Sequence, residues 1–145
     1  MTRVNFYIIE NGSAEATQLF ICRLTEKAWL QDNAIYIHAP SQQLASQLDE
    51  DLWTFSQASF IPHQLAAEET GDKTVLIGHQ ATASIPNTHH DVLINLDHQI
   101  PSFFSQFERV AEIVAADEAS KEKGRERYRF YKDRGYALET HKLTL

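Results

Sequence analysis

Short runs of branched and aromatic residues, separated by stretches of helical spacing, constrain this chain more than any other feature of its sequence. Val4 to Ile9 is apolar and ends at the turn signal Asn11-Gly12-Ser13, which predicts a first strand. Ala16, Leu19, Phe20, Leu24 and Ala28 then recur at helical spacing behind Ser13, predicting a capped helix from about Ala14 to Leu30. A second strand, Ala34 to His38, stops before Pro40, and Ser41 can cap a second helix carrying Leu44, Ala45, Leu48 and Leu52. Thr54 to Asp72 loses periodicity while keeping large apolar residues, as an ordered loop packed on the body does. Thr74 to Gly78 and Asp91 to Leu96 read as buried strands, Phe103, Phe104 and Phe107 as a short helical turn, and Arg109 to Val114 as a further strand. A helix from about Asp117 to Arg134 stops at Gly135, and Tyr136 to Lys142 reads as an edge strand.

Strands that alternate with helices favour a parallel sheet, because parallel neighbours need crossover connections. The expectation is an α/β fold of three layers, a mostly parallel sheet flanked by helices. With 145 residues, 43% of them hydrophobic, the chain suits one domain over residues 1–145. Its opening enters a strand directly, and no later run approaches the roughly 20 apolar residues a bilayer requires, so a soluble, cytoplasmic protein without a membrane partner is expected. The single cysteine, Cys22, lies in an amphipathic run that suits a small buried residue in a reducing compartment.

Folds of this class often bind nucleotides at the carboxyl ends of their strands. The first such turn, Glu10-Asn11-Gly12-Ser13-Ala14-Glu15, has one glycine, two acids and no lysine, and fits neither the P-loop nor the dinucleotide pattern. His89-His90-Asp91 is the densest group of metal-ligating types, but adjacent residues on an extended chain point apart and no second ligand pair has zinc-like spacing, so a solvated loop is expected there. The apolar setting of Cys22 argues for an inert thiol, and Asp49-Glu50-Asp51 reads as a hydrated helix end. No catalytic constellation, metal or cofactor is expected.

Two features remain. The net charge is −7, yet residues 121–134 hold seven of the thirteen basic side chains against three acidic ones, a local balance of +4 that leaves −11 elsewhere. Along that helix Lys121, Arg125, Tyr128 and Lys132 share one face. The stripe can be a solvated face paired internally through Glu122 to Arg125 or Glu126 to Arg129, a site for an acidic peptide, or a track for a nucleic-acid backbone with a base stacked on Tyr128. The second feature is Leu52-Trp53-Thr54-Phe55 followed by Ser59-Phe60-Ile61-Pro62-His63, which can be the floor of the domain or an exposed anchor for a partner.

Together with Phe6-Tyr7, the Cys22 helix, Leu48-Asp49-Glu50, Asp91-Val92-Leu93-Ile94-Asn95-Leu96 and Arg125-Glu126-Arg127-Tyr128, these segments resemble the chi subunit family of bacterial DNA polymerase III holoenzyme, in order and over nearly the whole chain. The resemblance implies a nucleotide-binding-like fold without the phosphate loop and without enzymatic activity. It implies two partners. The psi subunit of the clamp loader would meet Trp53, Phe60, Pro62 and His63, a surface for which a helicase competes in some bacteria. The acidic C-terminal tail of single-stranded-DNA-binding protein, which ends in phenylalanine, would place its carboxylates on Lys121, Arg125 and Lys132 and its ring between Tyr128 and Val114. The basic loop that some relatives carry is replaced by the polar stretch Gln80 to His90, so contact with single-stranded DNA is expected to be indirect. A nucleotide-using enzyme and a direct single-strand binder are the rival readings, and neither accounts for the tryptophan and Phe-Ile-Pro-His segments.

Overall fold

The structure, a computed structural model, describes residues 2–55, 61–65, 75–80 and 83–145, except for the side chain of Asn87. Its order is β1 (Arg3–Asn11), α1 (Ala14–Leu30), β2 (Ile35–His38), α2 (Gln42–Thr54), β3 (His63–Leu65), β4 (Val75–Gly78), β5 (Val92–Asn95), β6 (Arg109–Val114), α3 (Glu118–Asp133) and β7 (Ala137–Thr144). The seven strands form one sheet in the order β3-β4-β2-β5-β6-β1-β7, and every pairing is parallel. The expected α/β architecture is present, and each helix begins where the sequence supplies a cap. Ser13, Ser41 and Asp117 accept the amide hydrogens of Ala16 at 3.0 Å, Leu44 at 3.2 Å and Ser120 at 3.0 Å.

Strand alternation sorts the core into two layers although the central strands are buried on both faces. Ile35, Ile37, Ile77, Ile94 and Ile113 pack under α1 and α2 against Ile21, Cys22, Leu48 and Leu52. Tyr36, Leu76, Leu93, Phe6 and Val114 face the other way and pack in one cluster with Phe103, Phe107 and, from α3, Tyr131. Each fully buried side chain of this kind contributes roughly 1.5–3 kcal/mol. Burial also pushes the Cys22 thiol up to about 12, with the charge of Asp51 adding to the effect, which keeps it inert at neutral pH.

The C-terminal end of α3 depends on Gly135, whose φ of 79° lies in the left-handed region. Its amide bonds the Lys132 carbonyl at 3.0 Å while that of Tyr136 reaches back to Tyr131 at 3.2 Å, closing the helix and aiming the chain into β7. In running from β6 to β7, α3 passes over β1, which lies between them. Gly124 permits the close approach, since a Cβ there would sit 2.8 Å from Cγ2 of Val114.

Three expectations need correction. The aperiodic segment expected as a packed loop contains β3, a short parallel strand on β4, while residues 56–60 and 66–74 lie outside the described residues. Its brevity hides it from any periodicity test. The pair His89-His90 is not a solvated loop: His89 is fully buried, and His90 is half-buried with its ring against Phe107 at 5.8 Å. Residues 87–89 form a 3-10 turn, and its last residue is the buried histidine. Nor do Glu122 to Arg125 and Glu126 to Arg129, the internal pairs of the solvated-face reading, form; the ion pair between two residues of α3 among the described residues is Lys123 to Glu126 at 3.5 Å. No helix among the described residues is long and apolar enough to cross a membrane.

Candidate functional site

Position 112 explains how α3 is held. Glu112 stands in the apolar run of β6 and is completely buried, so its carboxylate needs partners inside the protein. It receives Nε of Arg127 at 2.9 Å, Nδ2 of Asn95 at 2.9 Å and the Tyr131 hydroxyl at 2.6 Å. A second arm of Arg127 donates to the His98 carbonyl at 3.2 Å. Burial pushes the Glu112 carboxyl up, and the Arg127 charge with these donors pulls it back toward the ionised form. Two turns of α3 are thereby pinned to β5 and β6, with Ser120, Gly124, Arg127 and Tyr131 inward. Arg127 therefore does not belong to the solvent-facing charge of the helix. The acid within the apolar run of β6 is visible in the sequence, whereas the inward turn of Arg127 to meet it appears only in the fold.

The outward face borders a cavity of about 550 Å³. Phe6 and Ile8 of β1 and Val114 of β6 give it an apolar floor, and Tyr128 stands edge-on to Phe6 with ring centroids 5.4 Å apart. Lys121, Arg125 and Arg129 line it from α3, and Lys142 lines it from β7. Among the described residues, none of these four cations makes an ion pair. Lys121, Arg125 and Tyr128, which helical spacing put on one face, are brought together with Val114, which only the resemblance implied, while Lys132 is exposed farther along α3 and does not line the cavity. Phe6, Ile8 and Lys142 were missed because β1 and β7 approach α3 only in the folded chain, and Arg129 because helical spacing suggests Glu126 as its partner.

The tryptophan segment lies elsewhere and divides between the two roles open to it. Leu52 and Ile61 are buried in the core and Phe55 packs against it, whereas Trp53 is 52% exposed and Pro62 is exposed. His63 is buried beneath Trp53, with ring centroids 4.4 Å apart. Its Nδ1 lies 2.7 Å from the Ile61 carbonyl and its Nε2 lies 2.7 Å from that of Asp49, so one ring ties the end of α2 to β3. Phe60 lies outside the described residues.

No loop suited to a nucleotide phosphate is present after β1, where only Gly12 and Ser13 precede α1 and the Ser13 hydroxyl oxygen already accepts from the helix. An α/β sheet without a P-loop is the fold the resemblance implied, and sequence comparison decides the family. A sequence model described as DNA polymerase III chi subunit, HolC, matches residues 1–139. The chain belongs to the chi subunit family. It is 41% identical over 143 residues to the DNA polymerase III subunit chi of Pseudomonas aeruginosa, covering 99% of this chain and 98% of that one. The subunits chi of Haemophilus influenzae and Escherichia coli are 30% and 29% identical, over 95% and 97% of both chains. Membership makes the protein a replication accessory subunit of DNA polymerase III and directs attention to surfaces that dock other proteins.

Proposed function

We propose that this chi subunit is a non-catalytic cytoplasmic adaptor that holds the psi subunit of the clamp loader on one surface and the acidic tail of single-stranded-DNA-binding protein on another. The observation that carries the reading is the cavity beside α3, where cations without ion-pair partners among the described residues surround an apolar, aromatic floor. Arginine and lysine form charge-assisted bonds to carboxylates, and the floor between Phe6, Val114 and Tyr128 suits an aromatic end group. A protein of net charge −7 disfavours extended nucleic-acid tracks but accommodates one local acidic peptide. The exposed Trp53, seated on a ring that links α2 to β3, supports the second contact with Pro62 and His63 beside it. Phe60 is assigned to this contact by the family resemblance, as is the helicase that competes for it in some bacteria.

The test is a titration with a peptide copying the acidic tail. Wild-type protein is expected to bind in the micromolar range, and Arg125→Ala to lose roughly tenfold or more, the effect of removing a charge-assisted partner. Absence of wild-type binding at low salt would remove the tail from the proposal.

A further inference from the structure

We infer that edge strand β7 supplies the second wall of the acidic-peptide site, with Lys142 as its cation and Glu10 as the residue that limits how much negative charge the site accepts. The inference rests on the tail-binding reading and extends it to residues outside the helix. Because α3 packs over β1 and the end of β6, the last strand of the sheet is left beside it, with β1 as its sole strand neighbour among the described residues. The parallel register sets Thr140 against Phe6 and Lys142 against Ile8, so the lysine stands next to the apolar floor, across the cavity from Arg125 and Arg129. Lys142 is exposed, and among the described residues it has no ion-pair partner. Glu139, the acid on its own strand, falls on the opposite face by alternation and sits 3.8 Å from His141.

A ligand bound only by the helix would meet charge from one side. Lys142 lets a peptide with several carboxylates be gripped from two. Glu10 is the one acidic side chain lining the cavity among the described residues, so four cations face one carboxylate and the local balance is +3. A carboxylate brought beside Glu10 is repelled, which discriminates against ligands whose negative charge is continuous along their length.

Fluorescence anisotropy with an acidic peptide ending in phenylalanine, at two ionic strengths, tests this on the full chain. Lys142→Ala should bind about two- to fivefold more weakly, as loss of an exposed ion pair does, with a shallower salt dependence. Glu10→Gln should bind about twofold more tightly. If Arg125→Ala abolishes binding while both variants match wild type, β7 is no part of the site although the tail reading stands. Shifts of both variants in the same direction also overturn the inference, since opposite charges must act oppositely. Failure of the wild type to bind overturns it together with the reading beneath.

Discussion

Arg127 and Arg125 are two residues apart on one helix and do unrelated work, because 3.6 residues per turn sends one inward and the other out. Removing Arg127 strands the Glu112 carboxylate in the core. Arg127→Ala should therefore cost about 3–5 kcal/mol in urea unfolding, whereas replacing Glu112 and Arg127 together by apolar residues of similar volume should cost much less. A near-zero effect of the single change would show that water reaches Glu112. His38 responds to pH instead. It is fully buried at the end of β2, with Nε2 3.2 Å from the Asp97 carboxylate. Burial holds its imidazole below the ordinary range, against the pull of Asp97. The unfolded chain then binds a proton more readily than the folded one, so stability is complete above the ordinary histidine value of about 6.5 and declines as pH falls below it toward the depressed folded-state value. Denaturation midpoints should drop between neutral pH and mildly acidic pH, and His38→Asn should flatten that part of the profile.

The helix α3 is the element on which the proposed tail site depends, and its two ends are set by different chemistry. Asp117 accepts both the amide and the hydroxyl of Ser120, at 3.0 and 2.7 Å, and these bonds hold its carboxyl below the usual range. Asp117→Ala should cost about 1 kcal/mol of stability, the usual worth of such a cap. Peptide affinity should change little in the same variant, because Arg127 and Tyr131 still pin the helix through Glu112. Thermal melts and peptide titrations on one preparation separate these effects. The element was readable in advance from Asp117 at one end and Gly135 at the other, flanking a stretch of amphipathic spacing. β3 was not readable, since three residues carry no measurable period and its pairing with β4 is non-local.

At the scale of the whole molecule, the two proposed contacts lie on different parts of the sheet, one beside β7 and the other between α2 and β3 at the opposite edge. On the proposed reading both partners are held at once, and two modest contacts in one assembly reinforce each other because the second becomes intramolecular. Their physics differs. Binding of the tail peptide should weaken steeply as ionic strength rises, while psi binding, anchored by Trp53, should persist. Parallel titrations across a salt series would show equal slopes if the division of the surface were wrong.

The sequence by itself determined the alternation of strands and helices, the caps, the burial of Cys22 and the absence of a phosphate loop, because each follows from residues close together in the chain. It also placed Lys121, Arg125 and Tyr128 on one helix face, since helical spacing is a local property. Only the tertiary structure decided that Arg127 is internal, that His89 is buried, that Trp53 is exposed while Leu52 beside it is not, and that Phe6 and Lys142 complete a cavity with α3. Those outcomes depend on which distant segments meet, and Phe6 and Lys142 share a cavity through the parallel register of β1 and β7, which no local pattern encodes.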